Sequence, residues 1–140
     1  IQKMKVFFDT SALTKKYVLE KGSEKLIEIL SKAEKKIISI ICFPEIVSVL
    51  SRLRREKTIT DSQYQKLSAF IIDDLKNFYL CELTTPVIKR SVVLLESFSL
   101  KTLDALQVAC AIETQSEIFV SADHQQILAA RQAGLKVEEI

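Results

Sequence analysis

The length, composition and charge of the chain limit the classes of protein to which it can belong. Its 140 residues are 48% hydrophobic and 27% charged, which is the balance of one ordinary globular domain. No apolar stretch approaches the ~20 residues of a membrane span. Only two glycines are present, and neither lies in a GxGxxG or P-loop motif, so nucleotide cofactors are excluded.

In the first half of the chain, the hydrophobic pattern predicts two strands separated by helices. We expect the strands at residues 5–8 and 37–41, and helices at residues 10–18, from Ser23, from Pro44, and at residues 60–74. Ser23 and Thr60 are predicted to cap their helices, and Pro44 suits the first helical position. Asp9 therefore follows the first strand, and Glu45 falls in the first turn of a helix.

In the second half, the alternation of strands and helices continues. We expect strands at residues 78–83, 117–121 and 135–137, and helices at residues 85–98, from Thr102, and from after Asp123 to Gly134. Residues 105–112 are almost all apolar, which predicts a buried central helix capped by Thr102. Asp104 falls in its first turn, and Asp123 comes just after a strand.

Strands separated by helices, without hairpin signals, predict an α/β fold with right-handed crossovers. We expect a single three-layer domain over residues 4–140, in which helices flank a mostly parallel central sheet of four or five strands. Residues 1–3 precede the first methionine and are interpreted as a cloning remnant or an N-terminal extension. No secretory signal is recognisable.

Four carboxylates are predicted at the carboxyl edge of this sheet: Asp9, Glu45, Asp104 and Asp123. Each one alone suits a helix cap or first turn. Together they would repel one another unless a cation neutralised them. Hard oxygen ligands suit Mg²⁺ or Mn²⁺ rather than zinc. Such an ion can orient a water and stabilise charge on a phosphoryl group, which indicates phosphodiester hydrolysis.

The charge balance is compatible with a polyanionic substrate. The chain has 20 Lys and Arg against 18 Asp and Glu, so the charges outside the four candidate acids are clearly basic in sum. Basic residues also stand close to the acids along the chain. Lys15, Arg52, Arg55 and Lys101 are the candidate nucleic-acid contacts, although any one basic run also suits a solvated helix face.

The cysteines and the histidine argue against a soft-metal site. Cys42, Cys81 and Cys110 are odd in number, widely spaced and set among apolar neighbours. We therefore expect buried thiols in a reducing, cytoplasmic compartment. No CxxC pair is present, and the single histidine, His124, excludes a site built on several imidazoles.

Four segments resemble the PIN domain, especially the toxin nucleases of VapBC-type toxin–antitoxin pairs. They are VFFDTSAL at 6–13, PEIVSVLSRL at 44–53, LKTLDALQVACA at 100–111 and FVSADHQQILAARQAGLKV at 119–137. The resemblance places the catalytic, metal-binding acids of the family on Asp9, Glu45, Asp104 and Asp123, with Ser11 and Ser121 as supporting polar residues. It implies a Mg²⁺- or Mn²⁺-dependent endoribonuclease, commonly a homodimer, with RNA as substrate and a small antitoxin covering the acidic pocket.

Other enzyme classes fit the sequence less well. Aspartyl-phosphate phosphatases need a second acid two residues after the first, where this chain has Ser11, and a receiver domain needs paired acids there and an acceptor Asp after a middle strand. Two alternatives stay open. One is a catalytically weak PIN-like module that binds RNA or protein, and the other is an RNA-processing nuclease that is not a toxin.

Overall fold

A five-stranded parallel sheet organises residues 4–140, the part of the chain that the computed structural model describes. The strands are β1 (Lys5–Phe8), β2 (Lys35–Ser39), β3 (Tyr79–Cys81), β4 (Ile118–Ser121) and β5 (Lys136–Glu139), in the order β3-β2-β1-β4-β5. The predicted α/β class is confirmed, including the fifth strand at the edge. Residues 1–3, interpreted above as a remnant or extension, lie outside the described residues.

Helices cover both faces of the sheet and complete the three layers. Among residues 4–140 they are α1 (Thr10–Tyr17), α2 (Ser23–Lys32), α3 (Cys42–Arg55), α4 (Asp61–Asp74), α5 (Thr85–Ser97), α6 (Thr102–Glu113) and α7 (His124–Gln132). Buried residues of α1 to α4 share one apolar core, and those of α5 to α7 share the other. The chain thus winds in one direction from β1 to β3 and in the other through β4 and β5. The point of reversal lies between β1 and β4, where open α/β sheets bind ligands.

The central strand β1 contributes to both cores because successive side chains of a strand point to opposite faces. Phe8 packs among α1 to α4, whereas Phe7 lies in the other core and stacks on Phe119 of β4, with ring centroids 5.7 Å apart. Both rings are fully buried. Burying a side chain of this size contributes about 1.5–3 kcal/mol, so β1 and β4 are firmly held. They are rigid supports for the residues that follow them.

The second strand lies earlier in the chain than its apolar run suggests. We predicted residues 37–41, but β2 begins at Lys35, which pairs with Lys5, and ends at Ser39. Ile40 is outside the strand and 42% exposed. The two lysines at the start of β2 are tolerated because each places its ammonium over an aromatic ring, Lys35 at 4.1 Å from the Tyr79 centroid and Lys36 at 5.1 Å from that of Phe78.

Some helix starts differ from the predicted caps by one or two residues. Thr60 does cap α4, through a reciprocal capping box with Gln63. Ser23 and Thr102 are instead the first residues of their helices, and Pro44 is the third residue of α3. The Ser23 hydroxyl donates to the Lys15 carbonyl at 2.7 Å, so this contact between helices uses the group that we expected to cap.

Two further predictions concern the cysteines and the apolar run of α6. All three cysteines are buried free thiols, as predicted. In the described part of the chain, none of the helices has the length and apolar character needed to cross a membrane. The buried run of α6 extends from Ala105 to Ala111, one residue short of the predicted run 105–112.

Candidate active site

The topology brings the four predicted carboxylates to the same edge of the sheet. Asp9 directly follows β1 and caps α1, and Asp123 follows β4 and caps α7. Glu45 lies in the first turn of α3, after β2, and Asp104 lies in the first turn of α6. Since β2, β1 and β4 are neighbouring parallel strands, the elements after them meet beyond the sheet's carboxyl edge.

Asp9 is fully buried, and its carboxylate is surrounded by neutral donors. Oδ1 accepts hydrogen bonds from the Ser11 hydroxyl at 2.7 Å and the Ala12 amide at 2.8 Å, and Oδ2 accepts one from the Ser121 hydroxyl. Burial raises the pKa of Asp9 to about 7, against the opposing effect of these hydrogen bonds, and the charge of Asp123 adds to the rise. The fold therefore holds a carboxylate here at an electrostatic cost.

Glu45 is held by two side chains, which form a hydrogen-bonded ring with it. The Thr10 hydroxyl donates to Glu45 Oε1 at 2.6 Å. The Gln107 amide Nε2 donates both to Glu45 Oε1 and to Thr10 Oγ1, each at 2.8 Å. These bonds join α1, α3 and α6. In the part of the chain that the structure describes, both hydrogen bonds that the Glu45 carboxylate accepts fall on the same oxygen, Oε1.

Asp104 and Asp123 are linked through a single glutamine. Gln126 donates its side-chain amide to Asp104 Oδ1 and its backbone amide to Asp123 Oδ1, both at 3.0 Å. Burial raises the pKa of Asp104, and the charges of Asp123 and Glu45 raise it further, whereas Gln126 and Lys101 lower it. The charges of Asp123 and Glu45 therefore reach the Asp104 carboxylate and disfavour its ionised form.

These side chains surround an open cleft of about 780 Å³. Glu45, Asp104 and Asp123 line the cleft, as do Thr10 and Ser11, which follow the buried Asp9. Its walls also include Arg52 of α3 and Lys101, which precedes α6. The cleft therefore combines carboxylates with basic side chains, as a site for a phosphate-containing ligand and a cation would.

The other two basic candidates lie elsewhere. Arg55 is exposed on α3 but does not line the cleft. The Lys15 ammonium donates to Glu20 Oε1 at 3.0 Å and to the Lys21 carbonyl at 2.7 Å. The structure thus brings Arg52 and Lys101 to the carboxylates and leaves Arg55 and Lys15 apart from them.

The chemistry of the donors fits a hard divalent cation. Carboxylate oxygens are the ligands that Mg²⁺ and Mn²⁺ prefer, and the repulsion that raises the pKa of Asp104 is the effect that a cation would relieve. As the side chains stand, no three His, Cys, Asp or Glu residues within residues 4–140 are grouped so that they could hold one ion. The residues therefore fit a divalent cation in the type and charge of their donor atoms, but not in a ready-made group of three ligands.

Sequence reasoning identified the acids and the two serines but missed three polar supports. Thr10, Gln107 and Gln126 all donate to site residues, and both glutamines are almost fully buried. Gln107 had a detectable signal, because it is the one strongly polar residue in the apolar run 105–112. Gln126 had none, since its helix is polar along much of its length.

Comparison with known proteins places this arrangement in a family. A model of the PIN domain matches residues 6–132, which is most of the chain. The chain belongs to the PIN domain family. A search of curated proteins found no match.

Solved structures with the same fold include toxin components of toxin–antitoxin pairs. A toxin–antitoxin complex from Klebsiella pneumoniae is 20% identical, with a TM-score of 0.68 over 96% of this chain and 99% of that one. FitAcB from Neisseria gonorrhoeae is 15% identical, with a TM-score of 0.75 over 94% and 95%. VapC20 from Mycobacterium tuberculosis, described as a sarcin–ricin loop cleaving toxin, is 13% identical, with a TM-score of 0.67 over 93% and 95%. At these identities the likeness is one of fold.

Proposed function

We propose that this PIN domain is a divalent-metal-dependent endoribonuclease that hydrolyses RNA phosphodiester bonds. The observation that carries the proposal is the cleft that Glu45, Asp104 and Asp123 line, next to the buried Asp9. Burial and like charges raise the pKa of both Asp9 and Asp104. Perturbed carboxylates in a cleft favour a functional site over independent helix caps. The basic Arg52 and Lys101 suit an anionic substrate.

Asp9, Glu45, Asp104 and Asp123 are the proposed ligands of Mg²⁺ or Mn²⁺. When bound, such an ion would polarise a phosphoryl group and help to generate the attacking hydroxide. The chain's own contribution is to keep these carboxylates at one edge, with Ser11 and Ser121 orienting Asp9. Lys101 and Arg52 would position phosphates along the cleft.

The deciding experiment measures cleavage of mixed RNA by purified protein with Mn²⁺, with Mg²⁺ and with chelator. We expect cleavage with either metal and none with chelator. Asp9→Asn should lower the rate at least ~10²-fold, the size expected for loss of one oriented electrostatic group. RNA that binds equally well with and without metal and is not cleaved would favour the binding-module alternative. Undiminished cleavage by the Asn variant would remove Asp9 from the site.

We further propose that the nuclease is the toxin of a toxin–antitoxin pair. The toxin–antitoxin assemblies among the solved structures of this fold support this. Expression of the chain alone should slow growth, and co-expression of a small antitoxin from a neighbouring gene should relieve it. An Asp9→Asn variant made at the same level is the matched control. If the active enzyme is tolerated without a partner, the RNA-processing alternative is favoured. A homodimer and a cytoplasmic location stay predictions of the same proposal.

A further inference from the structure

We infer that Gln107 is a positioning residue for Glu45, and that its side-chain amide fixes the carboxylate for the reaction in the cleft. The inference rests on the proposed function, because it assigns Glu45 a part in the chemistry. It starts from the one buried residue of α6 that carries a side-chain amide.

Gln107 is the polar exception on an apolar helix. Its neighbours from Ala105 to Ala111 are buried Ala, Leu, Val and Cys side chains that pack in the core under the sheet. Gln107 itself is only 1% exposed. A methionine or leucine would fill this volume without taking an amide out of water, so packing alone does not explain a glutamine here.

The amide of Gln107 is satisfied on only one side. Its Nε2 donates to Glu45 and Thr10, whereas its Oε1 is buried without a hydrogen-bond partner in the described part of the chain. A buried acceptor without a partner destabilises the folded state. Gln107 thus carries a cost to stability, and its two donated bonds are both directed at the rim of the acidic cleft.

Those two bonds constrain Glu45 more than either could alone. Gln107 and Thr10 both donate to Glu45 Oε1, and Gln107 also donates to the Thr10 hydroxyl, which fixes the direction in which that hydroxyl donates. Because Oε1 accepts both hydrogen bonds of this ring, Oε2 is the oxygen that is available to a ligand in the cleft that Glu45 lines. A glutamate that would otherwise sample several rotamers is held in one, which is the preorganisation that catalysis needs.

The test compares Gln107→Met, which keeps the volume and removes the donor, with Gln107→His, which restores an N–H donor. We expect Gln107→Met to lower kcat for RNA cleavage about 10- to 100-fold with little change in KM, because the substrate's phosphates contact other residues. Its melting temperature in chelator should equal or exceed that of wild type, since the buried Oε1 is removed. Gln107→His should recover part of kcat. Gln65→Met, on an exposed face of α4, is the matched control.

A residue that only stabilised the fold would behave differently. Replacing such a residue would lower the melting temperature and the rate of RNA cleavage together, and Gln107→His would not selectively restore kcat. If Gln107→Met cleaves RNA within about twofold of wild type, or loses activity only in proportion to lost folded protein, the inference is wrong.

A double-mutant cycle keeps this result separate from the proposed function. Unfolding in chelator is measured for Gln107→Met, Glu45→Met and the double variant, and contact between the two side chains predicts non-additive effects. Wild-type protein that cleaves no RNA would contradict the proposed function, whereas this cycle would still decide whether Gln107 holds Glu45. Additive effects in the cycle would overturn the inference in either case.

Discussion

The carboxylate of Asp74 and the four carboxylates of the cleft have different electrostatic surroundings. At the junction of α1 and α4, Asp74 accepts hydrogen bonds from the Lys16 ammonium and the Tyr17 hydroxyl, both at 2.6 Å. Burial alone would raise the pKa of Asp74, but these bonds and the charge of Lys16 bring it below its usual value. This carboxylate is paired, and it ties two helices together.

The acids of the cleft are not paired directly with a basic side chain. In the described part of the chain, none of Asp9, Glu45, Asp104 and Asp123 forms an ion pair within 4 Å. Their hydrogen-bond donors are neutral hydroxyl, amide and backbone groups. The carboxylate that holds helices together is thus paired directly with a lysine, whereas Arg52 and Lys101 line the cleft without forming an ion pair with its acids. The second arrangement is the one that the proposed divalent cation would stabilise.

The largest predicted difference between the two regions is in the pH dependence of stability. Because burial raises the pKa of Asp9 from 3.8 to about 7, the folded protein binds more protons than the unfolded chain between these values. The free energy of unfolding should therefore fall as pH rises through this window, by about 4 kcal/mol at most, and then level off. The contribution of Asp74, whose pKa is lowered, is lost only as the pH falls below its ordinary value of 3.8.

The measurement is urea unfolding in chelator between pH 4 and 8, for wild type and Asp9→Asn. The Asn variant keeps the shape of the side chain and an acceptor for the Ala12 amide, but it cannot ionise. Its free energy of unfolding should therefore increase relative to that of wild type as the pH rises. Asp74→Asn is the matched control, and it should lose stability relative to wild type throughout this range. Parallel pH profiles for wild type and Asp9→Asn would show that ionisation of Asp9 does not destabilise the folded protein.

The sequence was sufficient to predict the acids of the cleft because their positions follow from local rules. Asp9 and Asp123 directly follow buried strands and cap the next helices, and a parallel sheet brings such positions together whatever the details of packing. Glu45 and Asp104 lie in first turns, where their elements can be located from apolar periodicity. The order of the strands in the sheet was not predicted, since it depends on packing between distant segments.

The supports of the acids depend on such distant contacts. Gln107 reaches residues 62 and 97 positions away in the chain, and Gln126 reaches Asp104 22 positions away. No local pattern specifies which buried side chains will face each other across α1, α3 and α6. The same limit explains why the environment of Lys15 was not predicted. Its closeness to Asp9 in the sequence suggested a phosphate contact. In the fold its ammonium turns to Glu20 and the Lys21 carbonyl.

The central claim is that the four carboxylates together bind a divalent cation, and thermal unfolding across a Mn²⁺ series tests this most directly. Wild type, Asp104→Asn and Asp74→Asn are melted in chelator and with increasing Mn²⁺ at low ionic strength. In chelator we expect Asp104→Asn to melt a few degrees above wild type, because one repelling charge is gone, and Asp74→Asn to melt a few degrees below it. Added Mn²⁺ should raise the melting temperature of wild type and Asp74→Asn equally, and that of Asp104→Asn much less. If Mn²⁺ raises none of them, or raises Asp104→Asn as much as wild type, the four carboxylates do not form a metal site.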